Sequence, residues 1–129
     1  MPNTFPKHNL ETAPEKSKPL LRQLLEQSGP NGFYSVTAES PETLTAYAML
    51  HKAFMASSFT NEEKTVIWQT INVENQCHFC VPAHTYMAKA MKIDKAVSDA
   101  LRNETALPTA RLEALRDFTL LMLRNHGNA

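Results

Sequence analysis

An all-α fold is predicted for this chain by three observations. Only three glycines occur in 129 residues, where average usage would give about nine, so few tight hairpin turns are available. Several of the eight prolines stand where helices would begin, a position in which a missing N–H costs little. Apolar residues recur at helical spacing behind polar residues suited to capping.

The elements follow in order. Residues 1–11 read as a loose arm ahead of a single helical domain over 12–129. Leu20, Leu21, Leu24 and Leu25 form the stripe of a first helix opening near Pro14. A break is expected at Ser28-Gly29-Pro30-Asn31-Gly32, and the β-like stretch Phe33 to Thr37 is too short to carry a sheet, so it reads as a helical turn. Ser40-Pro41-Glu42 supplies an N-cap, a first-turn proline and a dipole-favoured acid for a helix through Leu44, Tyr47 and Met55. Thr60-Asn61-Glu62-Glu63 has the form of a capping box, opening a helix that turns Val66, Ile67, Thr70, Ile71 and Val73 inward. Asp94 caps a helix that buries Val97 and Leu101, and Pro108 opens a last one that buries Leu112, Leu115, Thr119 and Met122. Met49, Met55, Met87, Met91 and Trp68 are expected in the core or in subunit contacts.

Composition narrows the function. Thirteen basic against thirteen acidic residues give zero net charge, no footprint for nucleic acid or an anionic membrane. The first twenty residues hold no apolar run, so no secretory signal is expected, and Leu120-Leu121-Met122-Leu123 falls far short of the roughly 18 residues of a membrane span. A cytoplasmic location is expected. In that reducing setting a two-cysteine chain points to redox or metal chemistry rather than to a structural staple.

The chain's two cysteines and two of its five histidines lie together in Glu74-Asn75-Gln76-Cys77-His78-Phe79-Cys80-Val81-Pro82-Ala83-His84. On a helix, Cys77, Cys80 and His84 would share a face, with Glu74 on the face of Cys77. The thiolate is the nucleophile, and an unperturbed cysteine near pKa 8.5 is only ~3% ionised at pH 7. A helix N-terminus near Asn75 or Pro82, and His84 one turn past Cys80, could each raise that fraction. Pro82 would kink a helix already running from Asn75, so a break at the motif is expected.

The run Glu74-Asn75-x-Cys77-x-Phe79-Cys80-x-x-Ala83-His84 resembles the active-site motif of the carboxymuconolactone decarboxylase superfamily, in its alkylhydroperoxidase AhpD-like branch. A weaker likeness extends upstream through Ser40-Pro41, Leu44, Ala46-Tyr47 and Phe59-Thr60-x-x-Glu63, covering about residues 12 to 90. The resemblance implies an AhpD-like helical bundle assembled as a homotrimer or trimer-based hexamer, without metal or organic cofactor. It implies peroxide as substrate and a dithiol as electron donor. It implies Cys80 as attacking thiol, Cys77 as resolving thiol and His84 in a proton relay. The branch places a glutamate where this chain has Thr65; Glu74 is the substitute acid, and Glu63 stands second because its capping role already explains it. Members often continue past a point like Ala129.

Other readings accompany this one. The thiols could be inert core residues. Cys77, Cys80 and His84 could hold zinc, with Glu74, His78 or water as fourth ligand, in a non-enzymatic interaction module. The superfamily's other chemistry, decarboxylation of a lactone acid, has no need of two thiols. His78 points away from the shared face and is expected in solvent.

Overall fold

The structure, a computed structural model, describes residues 5–128, and among them every regular element is an α-helix. The described chain forms two compact units divided between Ser57 and Ser58. The first four residues of the expected arm, and Ala129, lie outside the described residues.

The first unit holds α1 (Lys18–Ser28), α2 (Gly32–Thr37) and α3 (Pro41–Met55). Helix α1 opens later than expected, at Lys18, with Pro19 in its first turn. The reason lies in Ser17: its hydroxyl donates to the Ala38 carbonyl at 2.7 Å, tying the entry of α1 to the end of α2. Asn31 caps α2 by accepting from the Phe33 and Tyr34 amides, and Ser40 caps α3 through the Thr43 amide at 3.1 Å. Leu21, Ala38, Leu44 and Ala13 are buried together, with Leu10, Leu20, Leu24, Leu25 and Tyr34 packed against them. The segment before α1 is fastened from His8 onward, where the backbone N–H donates to Ser35 O and the ring pairs with Glu39. Met49 is 67% exposed and stands outside this core.

The second unit carries the motif. Helix α4 (Asn61–Glu74) packs against α5 (Cys80–Ala90), α6 (Lys95–Asn103) and α7 (Ala110–Arg124). The capping box at its start is complete, with Glu63 N–H donating to Thr60 Oγ1 at 3.1 Å and Thr60 N–H to Glu63 Oε2 at 2.9 Å. Asp94 caps α6, and Thr109 rather than Pro108 caps α7 by accepting from the Leu112 amide. Val66, Val97, Ala100, Leu101, Leu107 and Leu112 make the apolar core, flanked by Ile93 and Leu115. Because three helices surround α4, its buried positions include Glu63, Lys64, Thr65, Gln69, Thr70 and Asn72. Ile67, Ile71 and Val73, expected inward, are only half-buried.

Besides Glu104 (φ 55°) after α6, three helix ends use a left-handed residue that is not glycine: Gln76 (φ 49°) after α4, Lys92 (φ 58°) after α5 and His126 (φ 52°) after α7. Each makes the paired bonds of a Schellman turn. For α4, Gln76 N–H donates to Val73 O at 2.9 Å and Cys77 N–H to Asn72 O at 3.0 Å. That turn ends the helix just before the first cysteine.

Candidate redox site

Glu74 is the last residue of α4 and Cys80 the first of α5, so the expected break falls inside the motif. Cys77, His78 and Phe79 form the connecting turn. Pro82 then sits in the first turn of α5, where its absent N–H leaves no intrahelical bond unmade. The shared face of one continuous helix does not exist. Convergence of the cysteines comes instead from a turn folded onto a helix N-terminus.

Cys77 and Cys80 are joined as a disulfide, with their Cα atoms 5.3 Å apart, inside the range such bridges need. The Cys80 N–H, one of the donors left open at the start of α5, points at Cys77 Sγ at 3.2 Å. A thiolate formed on Cys77 would gain from that bond and from the positive end of the helix. Val81 N–H closes the turn onto Cys77 O at 3.1 Å. Both cysteines are half-buried, His78 is exposed as expected, and Phe79 is 50% exposed beside them.

His84 follows Cys80 by one turn of α5 and so shares its face. Its ring lies 5.0 Å from that of Trp68, tilted by 53°. Trp68 thus borders the histidine.

Glu74 is drawn elsewhere. With Thr70, Val73, Leu101, Glu113 and Leu120 it lines a cavity of about 230 Å³ on the α6 and α7 side of α4. Arg124 forks its carboxylate, Nε to Oε1 at 2.6 Å and a terminal nitrogen to Oε2 at 2.9 Å. The Arg124 hydrogen bonds hold the Glu74 carboxyl below the ordinary glutamate range. The helical register that would have set Glu74 beside Cys77 is lost at Gln76. Glu63, the second choice of acid, is occupied by its own cap and by Arg111 Nε at 2.6 Å, and these bonds lower its pKa. Thr65 is buried and donates to Asn61 O at 2.9 Å.

Two residues that sequence reasoning missed stand behind the motif. Gln69 is fully buried. Its Nε2 donates to Val81 O and to Thr85 Oγ1, both at 3.1 Å, and its Oε1 accepts from Asn72 Nδ2 at 3.0 Å. Asn72 Nδ2 also reaches Cys80 O at 3.5 Å. The available signal was spacing: Gln69 and Asn72 are three apart, and both fall on the α4 face turned to the motif.

A zinc site at the motif would need Cys77, Cys80 and His84 around one ion. Among the described residues no three His, Cys, Asp or Glu side chains are grouped to hold a metal. Among the described residues no helix is long and apolar enough to cross a membrane. Comparison with known proteins found no family model and no curated protein that matches the chain.

Proposed function

We propose that this chain is a thiol-dependent peroxidase or disulfide reductase of the AhpD-like kind, cycling Cys77 and Cys80 between dithiol and disulfide. The observation that carries the reading is the Cys77–Cys80 bridge at the N-terminus of α5. The chain has no other cysteine, so a complete two-electron couple resides in one turn.

In this reading the Cys80 thiolate attacks a peroxide oxygen: the S–O bond forms, the O–O bond breaks, and the alkoxide leaves as alcohol with a proton from His84. Cys77 then attacks the sulfenic acid, forming the S–S bond as the S–O bond breaks and water departs. An external dithiol returns two electrons and two protons by thiol–disulfide exchange. His84 serves as proton carrier because it lies one turn from Cys80 on the same helix. Glu74 is left as half of an ion pair with Arg124 that secures the end of α4. The protein works in the cytoplasm as a homotrimer or hexamer, and it needs no metal or organic cofactor.

Turnover of an alkyl hydroperoxide with a small dithiol donor, joined to alkylation of the reduced protein, tests this assignment. Cys80→Ser should abolish turnover, and His84→Ala should slow it ~10²-fold, the scale of a lost general acid–base partner. Iodoacetamide should label Cys80 before Cys77. Faster labelling of Cys77 would transfer the attacking role to the sulfur that the Cys80 N–H already supports.

A further inference from the structure

The geometry points to Gln69 and Asn72 as positioning residues that hold the Cys77–Cys80 turn closed when the bridge is reduced, and so set how strongly the pair prefers its disulfide. This inference rests on the proposed redox cycle.

A fully buried glutamine beside an apolar core is costly unless its amide is satisfied, and here both donors and the acceptor of Gln69 are engaged. The bonds converge on the motif. Asn72 O takes the Cys77 N–H, Asn72 Nδ2 approaches Cys80 O, and Gln69 Nε2 holds Val81 O one residue further. The backbone carbonyl of Asn72 thus holds one end of the four-residue turn and its side chain reaches the other, while Gln69, nearly one helical turn earlier, orients that side chain. In the oxidised protein the S–S bond closes the turn by itself. In the dithiol the clamp restrains it, and a restrained turn keeps each sulfur at high effective concentration for the other. Removing the clamp frees the reduced turn more than the oxidised one, so it favours the dithiol.

The test is equilibration of the full chain with defined mixtures of reduced and oxidised glutathione, followed by thiol trapping and mass measurement. The reaction is balanced: two glutathione thiols reduce the bridge and leave as glutathione disulfide. Asn72→Asp keeps the shape but removes both Nδ2 donations. Gln69→Met/Asn72→Leu replaces the polar pair with apolar groups of similar size, an exchange that can be nearly neutral for stability. Each should lower the disulfide-forming equilibrium constant about tenfold, the worth of one lost buried hydrogen bond. A cooperatively melting double variant with an unchanged constant would overturn the inference. The unmutated chain gives an independent check. Amide exchange at Cys77 should stay slow after reduction, and loss of that protection on reduction would equally overturn the clamp. No peroxide enters either measurement. Failed peroxide turnover with a shifted constant sinks only the peroxidase reading, and normal turnover with an unchanged constant sinks only the clamp.

Discussion

Gln76 occupies a left-handed conformation, φ 49°, that a side chain with a Cβ adopts at a cost and glycine adopts freely. It is the residue that ends α4 and aims Cys77 back toward α5, through the Schellman bonds to Val73 and Asn72. Gln76→Gly should therefore raise stability by about 1 kcal/mol, read as a higher denaturant midpoint at unchanged slope. A lower midpoint would show that the glutamine side chain contributes more than its backbone costs. At this scale the pairing of Cys77 with Cys80 was legible in their three-residue spacing. The aim of Glu74 was not legible. Its direction depends on whether the helix continues past Asn75, and the residue that stops it is a glutamine with no sequence signature of a stop.

The starts of α3, α4 and α6 were readable, as was the end of α1 at Ser28, whereas most other helix ends were not. Ser40, Thr60 and Asp94 each cap where their side-chain chemistry predicted, since a short oxygen-bearing side chain at that position satisfies an open amide. The ends of α4, α5, α6 and α7 use Gln76, Lys92, Glu104 and His126 in the left-handed position where glycine is usual, so that cue does not mark them. The inward face of α4 was read in part: Val66 and Thr70 are buried as assigned, but Gln69 and Asn72 also occupy buried positions and spend their amides on α5. The start of α4 also sets an acid response. Glu63, whose carboxylate accepts from the Thr60 amide and from Arg111, has a pKa lowered from 4.5. A carboxyl with a lowered folded pKa adds stability that is complete above its ordinary value and is lost as pH falls through the folded value. The melting temperature should accordingly fall as pH drops below 4.5, with a shallower fall in Glu63→Gln. An equal slope in the variant would assign the acid response to other groups, Glu113 and Glu74 first, since their pKa values are lowered too.

For the whole molecule, helix content was predictable from scarce glycine and periodic leucines, while the division between Ser57 and Ser58 had no composition shift to announce it. Large apolar side chains stay in solvent: Leu50 is 71% exposed, Tyr86 75% and Phe118 54%. Burying such side chains between copies would remove apolar surface from water. Light scattering at micromolar concentration should give a multiple of the 14.5 kDa chain mass, and a monomer mass would contradict assembly. The central claim, that Cys77 and Cys80 act as one reversible couple, is tested most directly by counting thiols in the reduced protein before and after one equivalent of alkyl hydroperoxide. Both thiols should disappear together, with a mass loss of two hydrogens and full recovery on adding a dithiol. Sulfinic acid on either cysteine with no bridge formed, or two thiols that survive the peroxide, would contradict it.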